Sequence, residues 1–104
     1  MARINFVSVK CERQQDVTGL DELEILIDGS LFLGPMAINK NETLPLTPKF
    51  WDFDGSITLT LREHNSPTSH KVIGTRTVTA GNPDPQPVDF KTSGAHYELT
   101  YTLT

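Results

Sequence analysis

The sequence predicts an all-β fold, an antiparallel β-sandwich of eight short strands. Apolar and polar residues alternate with a period of two in several segments, as expected where one face of a strand is buried. Turn-forming residues interrupt these segments roughly every 8–12 residues. Apolar residues nowhere recur with helical spacing for long enough to form an ordinary helix. We expect residues 1–104 to form a single domain around one hydrophobic core.

The first predicted strand, over about residues 3–11, changes phase midway. Ile4 and Phe6 share one face of an extended chain, whereas Val7 and Val9 share the other. A β-bulge within the strand would explain this change of phase. Burial of both faces of the strand would also explain the pattern, and the sequence leaves these two alternatives open.

A hairpin follows in the predicted order. Apolar residues alternate over residues 23–27 and are followed by Asp28-Gly29, a pair that accepts positive φ and suits a two-residue turn. The partner strand is expected to stop at Gly34-Pro35. Beyond it, Pro45 and Pro48 restrict their segment to a sheet edge or an extended loop, because proline donates no ladder hydrogen bond.

The second half of the chain carries the clearest alternation. Ile57, Leu59 and Leu61 are expected to face the core, and the same pattern recurs in the last strand. The proline-rich stretch 82–87 has strands on both sides and is therefore interpreted as a loop within the domain. The strands predicted here occupy residues 56–62, 72–79, 88–90 and 97–103.

Charge and composition exclude several functions. The net charge of −4 argues against a nucleic-acid partner, which requires clustered Lys and Arg, and disfavours electrostatic adhesion to anionic lipid. The chain has no long apolar run and no basic, then apolar, N-terminal pattern, so we expect a soluble protein without a signal peptide, more consistent with the cytoplasm. Cys11 is the sole cysteine and is expected to be a buried structural thiol.

Two stretches resemble the loops of C2 domains, eight-stranded sandwiches that in many proteins bind calcium and phospholipid. Residues 16–23 (DVTGLDEL) resemble the first acidic loop, and residues 59–65 (LTLREHN), followed by 71–74 (KVIG), resemble the second loop and its flanking strands. Together they cover about a third of the chain. The resemblance implies a calcium site, and the residues that would supply its ligands are Asp16, Asp21, Glu63 and Asn65.

Lys71 is the main departure from the C2 pattern, since a cation stands where the resemblance implies an acid. It would repel calcium and could instead pair with Asp16, Asp21 or Glu63. We therefore expect a calcium-independent, non-catalytic C2-like module, a monomer that contacts a protein partner or a membrane surface through loops 13–21 and 63–71. The residues expected to contact that partner are Arg13, His64, His70 and Lys71. The alternatives are a calcium-dependent phospholipid-binding module and a small effector, toxin component or structural subunit.

Other chemistry is less well supported by the sequence. A zinc or copper site would need His64, His70 and His96 to converge, and we interpret these histidines as surface residues. No cysteine or serine carries the flanking pattern of a nucleophile, so an enzyme is not expected. Trp51, with its aromatic neighbours Phe50 and Phe53, is expected to pack in the core. The alternative is an exposed anchor for a partner, a sugar or a lipid interface.

Overall fold

Nine β-strands account for most of the chain in the computed structural model, which describes residues 1–13, 21–66, 69–92 and 94–104. The described residues form no helix that is long and apolar enough to cross a membrane. In chain order the strands are β1 (Ala2–Arg13), β2 (Asp21–Ile27), β3 (Ser30–Ile38), β4 (Thr43–Pro45), β5 (Phe50–Phe53), β6 (Ser56–Ser66), β7 (Ser69–Thr79), β8 (Val88–Thr92) and β9 (Ala95–Leu103).

The strands form two antiparallel sheets, which confirms the predicted all-β sandwich. Sheet A has the order β4-β1-β9-β8, with β5 also paired to β1, and sheet B has the order β3-β2-β6-β7. The described residues contain nine strands rather than the expected eight, because the proline-containing segment forms two short strands, β4 and β5. Both lie along the free edge of β1, and this edge position agrees with the prediction from Pro45 and Pro48.

A β-bulge explains the phase change in β1. Phe6 pairs with Tyr101 and Ser8 pairs with Thr100, so Val7 is the extra residue on this strand. The insertion turns the side chains on both sides of the bulge toward the same face, and Ile4, Phe6, Val9 and Cys11 are all buried in the core. Of the two alternatives that the sequence left open, the bulge is correct.

The β2–β3 hairpin begins as predicted and then departs from prediction. Asp28 and Gly29 both have positive φ, and the Asp28 carboxylate accepts a hydrogen bond from the Thr58 amide at 2.9 Å. The prediction that the partner strand stops at Gly34-Pro35 is wrong, since β3 continues through this pair to Ile38. The register shifts here, and Gly34 has a φ of 103° and lies so close to the Leu23 carbonyl that a Cβ would clash.

The core lies between the two sheets and draws on both. The alternating positions 57, 59 and 61 face inward as predicted, and so do those of β2 and the last strand. Residues from both sheets form one continuous cluster, which indicates that they pack as a single layered unit. The largest fully buried apolar side chains are Tyr97, Tyr101, Phe6, Phe90, Ile4, Leu23, Ile25, Ile38, Leu59, Leu61 and Leu99.

The aromatic cluster on β5 is less buried than expected. Phe53 is buried, but Phe50 and Trp51 remain 46% and 42% exposed, so the prediction of core packing is wrong for these two. They lie on β5, at the edge of sheet A. The Trp51 ring contacts Phe32 of β3 edge-on at 5.5 Å, and Phe32 in turn contacts Phe6 at 5.4 Å. Trp51 therefore covers the margin between the two sheets.

Candidate functional site

The described residues that flank or belong to the two C2-like segments lie at one end of the sandwich, which we call the loop end. Strand β1 ends there at Arg13 and β2 begins there at Asp21, while β6 runs antiparallel to β2 and turns into β7 at the same end. The segment 63–71, predicted as a loop, is mostly strand, because β6 and β7 extend to residues 66 and 69. Polar side chains on the outer face of these strands gave the segment a loop-like sequence.

The calcium ligands expected from the resemblance are only partly described. Asp16 lies outside the described residues. Asp21 and Asn65 lie in β2 and β6, but their side chains are also outside the described part. Glu63 is described, and it lies within β6 on the inner face, beside Leu23, with an exposed fraction of 1%. A carboxylate in that position belongs to the end of the core and not to a solvent-facing loop. The calcium set implied by the resemblance stays a prediction, because its other three side chains lie outside the described part.

Lys71 lies on β7 directly across from Glu63 in the β6–β7 register. Its backbone position therefore agrees with the expected proximity to one of the three acids. The side chains differ in environment, since that of Lys71 is exposed while that of Glu63 is buried. The structure describes no ion pair within 4 Å between Lys71 and any described acid.

The four residues expected to contact a partner divide between the two sheets. His64 and His70 are a cross-strand pair of the β6–β7 hairpin, and Lys71 follows directly. Arg13 is the last residue of β1 in sheet A, where it pairs with His96 of β9. The structure therefore brings the His64 and His70 side chains together, places Lys71 on the same hairpin but on the face of Glu63, and places Arg13 at the same end on the other sheet.

Two residues that the sequence analysis did not select, Glu24 and Arg62, complete the surroundings of the histidine pair. They face each other across β2 and β6 on the outer face of sheet B. Glu24 is only 2% exposed, and the Arg62 Nε atom donates a hydrogen bond of 2.6 Å to its Oε1 atom. An ion pair so well shielded from water is uncommon on the outer face of a sheet. Leu26, also buried but not part of the main core, lies on the same face of β2.

Glu24, His64 and His70 form a compact set that we call the histidine–glutamate cluster. His64 Nδ1 lies 3.0 Å from His70 Nε2, and the two rings meet edge to face with centroids 4.8 Å apart. His64 Nδ1 lies 3.5 Å from Glu24 Oε2, and His70 Nε2 lies 3.6 Å from Glu24 Oε1. Three adjacent strands thus direct two imidazole nitrogens and a carboxylate toward one point.

His96 does not join this cluster. It lies on the outer face of sheet A, where its Nε2 atom is 2.8 Å from Asp89 Oδ1, and the hydrogen bond lowers the pKa of Asp89. Glu12 and Glu98 lie on the same face. A hydrogen bond to Glu12 raises the pKa of Glu98, whereas contact with Lys10 lowers the pKa of Glu12. We call Glu12, Asp89, His96 and Glu98 the acidic cluster.

Comparison with protein-family models, with curated proteins and with solved structures finds no match for this chain. The resemblance to C2 domains therefore depends on the two sequence stretches that carry it. On the outer face of the β6–β7 hairpin, Arg62, His64 and His70 surround the shielded Glu24 carboxylate.

Proposed function

We propose that this protein is a non-catalytic C2-like binding module that contacts a protein partner through the loop end, without calcium. The observation that carries the proposal is a patch on the outer face of the β6–β7 hairpin, formed by Arg62, His64, His70 and Val72 and bordered by Lys71, which pairs with Glu63 on the other face of the edge strand. Val72 is 56% exposed and pairs with Arg62, so an apolar side chain lies among hydrogen-bond donors. We call this surface the hairpin patch.

Its chemistry favours a protein over a membrane. Arginine and exposed apolar side chains surrounded by polar ones are typical of protein interfaces. One exposed valine offers little apolar surface for insertion into lipid, and a net charge of −4 opposes attraction to anionic headgroups. Cys11, the sole thiol, is fully buried, which removes it as an accessible nucleophile and supports a non-catalytic role.

The calcium-independent form of the proposal is supported by Glu63, which points into the sandwich, and by the exposed cation Lys71 opposite it. We expect calcium to leave the thermal unfolding temperature unchanged, because a ligand raises it only by binding the native state. Differential scanning fluorimetry with and without chelator measures this. A clear rise at sub-millimolar calcium would contradict the proposal and favour the calcium-dependent phospholipid-binding alternative.

The partner can be tested by site-specific photo-crosslinking in cells of the source organism. A photoreactive amino acid replaces Val72, and the matched control places it at Leu31, an exposed residue on the opposite edge strand of sheet B. We expect a discrete protein adduct from position 72 alone. Excess unlabelled wild-type chain should suppress it, whereas excess Lys71→Glu chain should not. Equal adducts from both positions, or flotation with phosphatidylserine vesicles in chelator, would overturn the proposal.

Assembly through a strand edge, as in a structural subunit or a toxin component, is the second candidate. Strand β7 is an edge of sheet B, has 11 residues and contains no proline, unlike the edge strands β3 and β4. Such an edge can accept another strand, although Lys71 and Arg76 on β7 discourage it. Light scattering over a range of protein concentrations separates the two, because only assembly predicts growth in mass with concentration.

A further inference from the structure

We propose that the histidine–glutamate cluster is a binding site for a borderline divalent transition-metal ion, for which zinc is the test ion. This inference goes beyond the partner-binding role and does not depend on it. It starts from the fact that Glu24, His64 and His70 each offer one ligand atom, all within 4.8 Å of one another. The three residues come from three neighbouring strands, so their backbone positions are fixed by the sheet and not by a loop.

The separations match those of a tetrahedral site. Zinc lies about 2.0–2.1 Å from imidazole nitrogen and carboxylate oxygen, which places any two ligand atoms of a tetrahedron roughly 3.3 Å apart. The observed separations are 3.0 Å between the two ring nitrogens, 3.5 Å from His64 Nδ1 to Glu24 Oε2 and 3.6 Å from His70 Nε2 to Glu24 Oε1. With one carboxylate oxygen as the ligand, all three ligand atoms lie within 4.8 Å of one another. Small rotations of the rings would bring all three ligand atoms to bonding distance.

The donor types select the class of ion. Calcium and magnesium prefer oxygen ligands in larger number, whereas two imidazoles and one carboxylate suit zinc and its first-row neighbours. Three protein ligands leave a fourth position, which water would fill. The cluster therefore has the composition of a transition-metal site and lacks the composition of a calcium site.

Arg62 has two effects on this site. Its 2.6 Å hydrogen bond to Glu24 Oε1 fixes the orientation of the carboxylate, as hydrogen-bonding partners of metal ligands commonly do. Its positive charge also repels the cation, so the affinity should be lower than that of a structural zinc site. Without metal, one histidine ring donates a hydrogen bond to the other, and this contact keeps the site assembled.

Zinc chloride titrated into the full, untagged chain in competition with a chromogenic chelator tests the proposal. We expect saturable binding of one zinc per chain and a rise in unfolding temperature with zinc concentration. His64→Ala and His70→Ala should each weaken binding at least tenfold. His96→Ala is the matched control and should leave it unchanged, since His96 lies in the acidic cluster on the other sheet.

Glu24→Gln provides a third variant, because glutamine can keep the hydrogen bond to Arg62 but loses the carboxylate charge. It too should weaken zinc binding at least tenfold. Cobalt added in place of zinc should give the visible absorption of a tetrahedral complex, and His70→Ala should remove it. Circular dichroism in chelator verifies that each variant is folded. If Glu24→Gln unfolds, His70→Ala still tests the proposal, because the His70 side chain is partly exposed and its loss should not unfold the chain. Absence of saturable zinc binding, or an equal loss in His96→Ala, would overturn the proposal.

Discussion

The histidine–glutamate cluster and the acidic cluster occupy the two outer faces of the same sandwich, both near the loop end, and both combine carboxylates with histidine. Their environments differ. Glu24 is almost fully shielded from water, whereas the side chains of Asp89 and His96 remain 47% and 29% exposed. The difference lies in the carboxylates, since the side chains of His64 and His70 are 21% and 26% exposed and therefore close to that of His96.

Strand position explains the difference. Glu24 lies on β2, an inner strand with β3 on one side and β6 on the other, and the close approach of Gly34 brings the β3 backbone to the Glu24 Cα atom. Asp89 lies on β8, the edge of sheet A, and Glu12 lies one residue before the end of β1. Burial of an ionisable group is therefore set by its neighbours in the sheet more than by its sequence context.

The largest effect is expected from Arg62→Ala, which leaves the Glu24 carboxylate without its closest cation. Loss of a hydrogen-bonded, shielded charge pair should cost about 2 kcal/mol of unfolding free energy, reduced from the fully buried case because Arg62 is partly exposed. Urea denaturation in chelator measures it. Lys10→Ala, which removes the cation beside Glu12 in the acidic cluster, is the control. Equal losses in the two variants would show that the two clusters do not differ in shielding.

A smaller effect of opposite sign is expected from Glu98→Gln. The folded protein holds a proton on Glu98 more tightly than the unfolded chain does, because Glu12 raises its pKa. The stability this provides is present at acid pH and is lost as pH rises through the folded-state pKa. At neutral pH, Glu98→Gln should therefore unfold at a higher temperature than wild type, and the gain should vanish on acidification.

The cause of the stability gained by Glu98→Gln can be tested in a double-mutant cycle. In a Glu12→Gln background, Glu98→Gln should give little further gain at neutral pH, because the charge repulsion between the two carboxylates is already removed. An undiminished gain would assign the raised pKa of Glu98 to its other causes, burial and the charge of Asp89.

The smallest effect is expected from Asp89→Asn. The hydrogen bond to His96 lowers the pKa of Asp89 in the folded protein, so its contribution to stability is present above the unfolded-state pKa and is lost as pH falls through the folded-state pKa. The variant should be slightly less stable than wild type at neutral pH and equal to it in strong acid. Solvent screening keeps the difference small. Thermal unfolding at several pH values would contradict this if the difference grew on acidification.

Much of the fold could be predicted from local pattern. Period-two alternation identified the inward residues of β2, β6 and β9, and the phase change in β1 predicted either a bulge or burial of both faces. The continuation of β3 across Gly34-Pro35 could not be predicted, because it depends on β3 being an edge strand that tolerates a bulge. The eight-strand estimate failed for a similar reason, since β4 and β5 exist only through their pairing with β1.

Less of the candidate site than of the fold could be predicted from the sequence. His64 and His70 flank the β6–β7 turn symmetrically, and this spacing could have indicated a cross-strand pair if the turn had been recognised. Glu24 occupies an outward position of its strand, but its approach to Arg62 depends on β2 pairing with β6, a contact between residues 38 positions apart. Alternation predicts which face of the sheet a side chain occupies, but it does not predict which strand lies beside it.

Trp51 gives this molecule an intrinsic optical reporter. It is the only tryptophan in the chain, and it spans the margin between the sheets through its contact with Phe32. If the edges of β5 and β3 move apart, the indole loses this neighbour and becomes more hydrated, so its emission should shift to longer wavelength and become more sensitive to acrylamide quenching. Fluorescence would then follow the opening of the sandwich along this side separately from the loss of strand structure seen by circular dichroism.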